Sequence, residues 1–176
     1  MKGTLANLVF VSLLLSSLWS CEKQAEPAFR MEYSMTFEVK SGLNPFFKYI
    51  QSFQGIQSQL EANLKARNLD TSDVLEILPY DIRLVSVGNR EVNYGIMNEI
   101  KVIIREPKTN GRNIEIAYVR PRLAEKNNGI RLLPGVANVT SYLKADQFDV
   151  EVELTFRELS RYSEQILFLD FAVYLK

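Results

Sequence analysis

The 176-residue chain contains no histidine, one cysteine and one tryptophan. The missing histidine removes the commonest general base and metal ligand, and with it any Ser-His-Asp or Cys-His catalytic set. A lone cysteine, Cys21, excludes an internal disulfide and a metal site built on several thiolates. The eight glycines are scattered singly, so no glycine-rich loop is present to cradle a phosphate. Neither sign of charge is in excess. Lys+Arg and Asp+Glu are both 21, which predicts no electrostatic capture of nucleic acid or of anionic lipid headgroups. After residue 20 no run reaches the roughly 18 apolar residues that a membrane-spanning helix needs. No catalytic residue, metal or cofactor is expected on these grounds.

What is there starts with Lys2, an apolar run over residues 8–15, and Leu18-Trp19-Ser20-Cys21. A basic start, an apolar centre and a small residue before the cut make a secretory signal. The Leu-x-Ser-Cys sequence resembles the lipobox of bacterial lipoproteins. The resemblance implies a signal peptide over residues 1–20, cleavage before Cys21, and diacylglycerol on its sulfur with further palmitate-type acylation. Two or more acyl chains hold a protein stably at a bilayer where one does not. Residues 21–28 then form a lipidated tether, and the membrane is a partner through Cys21. Glu22 is not the aspartate that resembles inner-membrane retention signals, which favours an outer-membrane address in the cell envelope, facing the periplasm or the exterior.

The remaining residues, 29–176, have the size and patterning of one folded domain. Residues 29–40 alternate apolar and polar, the pattern of a long half-buried strand. Asn44-Pro45 reads as a helix start. Phe46, Ile50, Phe53, Ile56, Leu60 and Leu64 follow at steps of three or four, which predicts a long helix packed on the domain, a helical insertion over about residues 45–78. Asp70-Thr71-Ser72-Asp73 reads as an N-cap for a short helical turn over 74–77 that Pro79 ends, and a second strand runs over 80–87. Ile100, Val102 and Ile104 face the core with Ile114, Ile116 and Tyr118 if Thr109-Asn110-Gly111 is a three-residue loop, setting Ile104 opposite Ile116 and Arg105 opposite Glu115. Residues 130–133 predict a short edge strand, Asn138 a cap for a short helix, and residues 148–157 a clean alternation. Residues 166–175, apolar on both faces except at Asp170, predict a central strand.

The fold expected is therefore mainly β, an antiparallel β-sandwich of Ig-like or jelly-roll type, with the long helix between its first two strands. This order of elements resembles bacterial lipoproteins built of one β-sandwich domain, a resemblance that implies no activity.

Asp149, Glu151 and Glu153 share one strand face with neighbours roughly 7 Å apart, a spacing that carboxylate catalysis can use and that any wet strand face also has. Ser141 and Lys144 form an isolated S-x-x-K. Tyr33, Phe37 and Tyr118 are expected to point inward, which leaves Tyr94, Tyr142 and Tyr162 as the candidate ligand-binding aromatics. The function expected is a non-enzymatic binding or structural assembly module. It would use a sheet edge or the loops 88–98 and 120–129 toward an envelope protein or surface ligand, and would not bind nucleic acid. The alternative is a carbohydrate- or surface-ligand-binding, adhesion-type module.

Overall fold

The computed structural model describes residues 26–106 and 113–176. Cys21, the signal sequence and the Thr109–Gly111 loop expectation lie outside the described residues.

The first strand, β1 (Phe29–Val39), follows its alternation: Phe29, Met31, Tyr33, Phe37 and Val39 are buried and their neighbours exposed. It is followed by β2 (Tyr49–Gln57), a short helix α1 (Leu60–Lys65) and β3 (Val74–Ser86). Next come the two-residue β4 (Val92–Asn93), then β5 (Met97–Arg105) and β6 (Ile114–Val119). The two-residue β7 (Lys126–Asn127) precedes β8 (Gly129–Pro134), a single helical turn α2 (Thr140–Leu143), β9 (Gln147–Phe156) and β10 (Ser163–Leu175).

The protein is mainly β and antiparallel, as its patterning dictates. Eight strands form one hydrogen-bonded sheet in the order β1-β10-β3-β8-β6-β5-β9-β2, rolled into a nearly closed barrel rather than divided into two sheets. The continuity comes from β8, which pairs with β3 through Gly129–Leu132 and with β6 through Leu133 and Pro134. The 130–133 segment is therefore interior to the sheet and not an edge. Gly129 permits this passage, because a Cβ there would stand 2.8 Å from the Leu84 carbonyl oxygen. The true edges, β1 and β2, face one another across a seam where the Phe37 and Phe53 rings meet at 6.1 Å. The interior is packed with aromatic edges: Tyr33 meets Phe148 at 5.2 Å and Phe171 at 6.0 Å. Such T-shaped pairs add to the burial of the rings themselves.

The long helix of residues 45–64 does not form. Asn44 starts a turn instead of a helix, accepting the Phe46 N–H on its side chain at 2.8 Å and the Phe47 N–H on its carbonyl at 3.3 Å. The chain then extends as β2, and only Leu60–Lys65 is helical. The helix-like spacing has a specific origin. Phe53 pairs with Val150 and Ile56 with Phe148, so two residues of β2 oppose one of β9. This bulge, with Gly55 at φ +67°, turns a strand spacing of two into a spacing of three.

Two further bulges account for the other departures. Strand β3 begins at Val74 and runs through Pro79 without stopping, because Phe171 pairs with Pro79 and Asp170 with Asp81, leaving Tyr80 as the extra residue. Proline is tolerated there since β8 pairs only with Ile82–Val85, and the Pro79 nitrogen faces no ladder partner on that side. In β6 the extra residue is Ile116: Val102 pairs with Ala117 and Ile103 with Glu115, so Ile104 lies opposite Ile114, not Ile116. Ile116 and Ala117 are consecutive and both buried, which turns Tyr118 outward, 42% exposed, against the inward expectation. Arg105 pairs across to β9 and binds Glu151 in place of Glu115.

The caps form locally, but the helical turn expected over 74–77 does not, since Val74 already starts β3. Asp70 and Asp73 make a reciprocal capping box around a single turn, Thr71–Asp73. Asn138 accepts the Thr140 N–H at 2.9 Å at the start of α2. Strand β10 is central, between β1 and β3, as its two-sided apolarity requires.

Candidate functional site

Because every pairing is antiparallel, the registers sort the connections into two ends. The chain enters β1 at one end, which also holds α1, α2 and the last residue of β10. The connections 40–48, 87–96, 120–128 and 157–162 all leave the sheet at the other. The two loops that sequence reading singled out, 88–98 and 120–129, are thus brought to one pole, and two more join them.

Side chains and close backbone contacts stitch these loops into one surface. Strands β4 and β7 pair Val92 with Asn127 and Asn93 with Lys126. The Gly95 N–H donates to Glu125 O and to the Asn93 side chain, each at 3.1 Å. A Cβ at Gly95 would lie 2.4 Å from the Ala124 nitrogen, so only glycine permits that contact. On the other side Ser160, 4% exposed, joins loops 40–48 and 157–162. Its hydroxyl donates to Lys40 O at 2.6 Å and accepts the Leu43 N–H at 2.8 Å. Arg157 then ties the pole together, its guanidinium donating to Gly95 O at 3.0 Å, to Met97 O, and to Pro121 O at 3.1 Å. A planar fork suits three carbonyls fixed on separate segments.

Two adjoining cavities open on this pole, of about 200 and 180 Å³, and share Glu91, Val92, Tyr162 and Ser163 in their walls. Asn93, Lys126 and Arg161 also line the first, Arg90 and Glu164 the second. Tyr162 stands between them, 59% exposed. The Glu38 carboxylate, with burial and Glu164 adding to it, pushes the Tyr162 phenol above its ordinary value.

The other two candidate tyrosines are elsewhere. Tyr94 is fully buried and plugs the barrel, its hydroxyl donating to Gln165 at 2.8 Å, with burial holding that phenol far above its usual range. Its short helical turn, Tyr94–Ile96, folds inward from the loop, so the residue is core and not a ligand contact. Tyr142, on α2 at the opposite end, is also buried. Both were expected at the surface because loops usually are. Here short helical turns press one face against the barrel ends.

The carboxylates of β9 are each committed. Asp149 accepts the Gly55 N–H of the β2 bulge at 2.8 Å, Glu151 binds Arg105 at 2.7 Å, and Glu153 binds Lys48 at 2.9 Å. A second acidic row crosses the outside of the barrel, with Asp170 directly opposite both Glu32 and Asp81. Arg30, Arg83 and Arg131 offset it. No group of three or more potential metal ligands is present among the described residues. No helix among them is long and apolar enough to cross a membrane.

The loop pole has two features that sequence reading missed. First, it holds four strongly exposed large apolar side chains: Phe46 is 90% exposed, Leu123 79%, and Phe47 and Leu159 63% each, while Val136, at 95%, lies after β8 and outside these loops. Second, the loops themselves carry more cations than acids, and acids at the adjoining strand ends offset them. Loop 40–48 carries Lys40 and Lys48 with no acid, and loop 87–96 carries Arg90 against Glu91. Loop 120–128 carries Arg120, Arg122 and Lys126 against Glu125, and loop 157–162 carries Arg157 and Arg161 against Glu158. Counted over the four loops alone there are eight cations and three acids, and Glu38 and Glu164 at the adjoining strand ends, both beside Tyr162, bring the acids at the pole to five. Adjacent Phe46 and Phe47, which no single helical stripe accommodates, were the available signal.

No family model matches the chain, and no curated protein matches it either.

Proposed function

We propose that this chain is a lipid-anchored lipoprotein of the cell envelope, held to a membrane, the outer membrane by its Glu22, through acylated Cys21. It acts without catalysis, as a binding or assembly module whose partner surface is the loop pole. The observation that carries this reading is the separation of the two ends. The chain enters the barrel at one, and four loops knitted by Ser160, Gly95 and Arg157 occupy the other. Pre-ordered loops on a rigid scaffold lose little freedom on binding. The non-catalytic reading is supported by the β9 carboxylates, each of which already serves a neighbouring donor.

The test is membrane fractionation and protease treatment of intact cells carrying the wild type and Cys21→Ala. The anchor reading expects the wild type in the membrane fraction and Cys21→Ala in the soluble one. Equal fractionation of the two sinks it. Digestion of the wild type from outside assigns surface display, and protection assigns the periplasm.

A second reading, a carbohydrate or surface-ligand module, is favoured by Tyr162 standing exposed between two small cavities with both signs of charge around it. A glycan array with no signal removes it, and so does binding unaffected by Tyr162→Ala.

A further inference from the structure

We propose that the two cavities of the loop pole are adjoining subsites for one neutral disaccharide, with Tyr162 as the aromatic wall they share. Within the carbohydrate reading, on which this rests, the ligand is uncharged and two rings long.

Size sets the length. At about 200 and 180 Å³, each cavity is smaller than the roughly 300 Å³ at which sites for drug-sized ligands begin, so each takes one sugar ring. Glu91, Val92, Tyr162 and Ser163 stand in the walls of both, so the two occupants are neighbours. The walls are mixed in the way a sugar ring requires, with apolar C–H faces and a belt of hydroxyls to satisfy. Ile96 and Met97, both buried, give the first cavity an apolar lining, and Val87 and Val92 serve the second. The Tyr162 ring, 59% exposed, is open to contact, while its hydroxyl has the Glu38 carboxylate beside it.

Charge sets the class. Arg90, Lys126 and Arg161 are the cations at the cavities, and Glu91, Glu164 and the adjoining Glu38 are the acids, three of each and all exposed. Among the described residues no salt bridge joins any two of the six. A charged ligand gains at one of these groups what it loses at the next, whereas a hydroxyl donates to a glutamate and accepts from an arginine or lysine. Asn93 spends its side-chain oxygen on the Gly95 N–H, which leaves its amide hydrogens as donors in the first cavity. The walls are also set before a ligand arrives. The β4–β7 pairs hold Val92 and Asn93 against Asn127 and Lys126, and the Asn128 amide donates to Asn89 across the same two loops. A preformed site loses little freedom on binding.

The protein for the test is the segment 26–176, which contains all the core residues of the barrel. An array carrying neutral glycans together with digalacturonate and sialyllactose reads the class. Calorimetry then follows gluco-, cello- and chito-oligosaccharides of one, two and three rings. A neutral disaccharide should bind at least about tenfold more tightly than its monosaccharide, and a third ring should add less than about twofold. Because the ligand is uncharged, its affinity should change by less than about twofold between about 0.05 and 0.5 M salt. Tyr162→Ala should weaken binding at least about tenfold and Tyr162→Phe by less than about threefold, since the ring is what the sugar meets. Arg161→Met in the first cavity and Glu164→Gln in the second should each cost about tenfold, with the circular dichroism unchanged because both side chains are exposed. Signal on the acidic glycans alone overturns the proposal and leaves the carbohydrate reading standing. So does a monosaccharide that binds as tightly as its disaccharide, or a disaccharide indifferent to Arg161→Met or to Glu164→Gln. An array silent throughout removes the carbohydrate reading as well, so the two failures are distinguishable.

Discussion

Arg157 is the side chain on which the order of the pole depends. Its guanidinium serves three carbonyls, Gly95 and Met97 through one nitrogen and Pro121 through the other. Arg157→Ala deletes all three bonds at once. Hydrogen bonds to a charged donor contribute about 1.5–3 kcal/mol each in isolation. Arg157 is only half-buried, so water reaches the vacated carbonyls and the loss falls to about 2–4 kcal/mol in total. For a chain of this size about 3 kcal/mol lowers Tm by about 6–12 °C. Urea unfolding followed by far-ultraviolet circular dichroism measures the loss as a lower midpoint at unchanged slope. Hydrogen exchange locates it: the Gly95 amide, which donates to Glu125, should lose protection, whereas Leu169 at mid-barrel should lose only what global stability dictates. Arg157→Lys should recover less than half, because an ammonium on a shorter stem cannot present two nitrogens to separate loops. A loss under about 0.5 kcal/mol, the level of an ordinary surface substitution, would refute the clamp. Full rescue by lysine would refute the fork.

Gly95→Ala pushes a methyl to 2.4 Å from the Ala124 nitrogen, and backbone on both sides must move; a loss of about 1–3 kcal/mol in urea midpoint is expected. Phe148→Ala empties the centre of the barrel, where the ring touches Tyr33 and Phe171, and should cost about 3–5 kcal/mol by the same assay. Burial raises the Asp170 carboxyl above its ordinary value, with Glu32 and Asp81 adding to this and Arg30 and Arg83 opposing it. The folded state therefore binds the proton more tightly than the unfolded chain. The wild type should lose stability relative to Asp170→Asn as pH rises from about 3.9, the unfolded carboxyl value, through the folded one. Urea midpoints of the two proteins at acid and neutral pH measure this, and a gap that does not widen toward neutrality refutes it.

Bulges decide where sequence reading and structure part. Alternation read correctly over 29–39 and 148–156, where the strands are regular and each residue's face follows from its parity. In β3 the buried positions change from Ile77 and Pro79 to Ile82 and Leu84, odd to even, across the extra residue Tyr80. A reader keeping one parity must end the strand there, and Pro79 encourages it. In β6 the same inversion at Ile116 shifts the hairpin register by two and sends Tyr118 to solvent. In β2 the Gly55 bulge makes Phe53 and Ile56 three apart on one face, which is also a helix step. A bulge costs the chain one unpaired residue and is stabilised by the curvature the whole sheet needs in order to close, so its cause lies in strands far away in sequence.

The sequence by itself determined the β class, the regular strands, the central place of β10, and the local caps at Asp70, Asp73 and Asn138, because these depend on neighbours within a few residues. Its lipobox-like start supports the anchor reading on the same local terms. Only the tertiary structure decided which of the candidate tyrosines Tyr94, Tyr142 and Tyr162 are core and which is exposed, and which loops share a pole. It also decided which charged side chains share that pole. Lys40, Arg90, Lys126 and Arg161 are scattered over more than a hundred positions of sequence. Antiparallel pairing alone, by sending alternate connections to alternate ends, makes them neighbours.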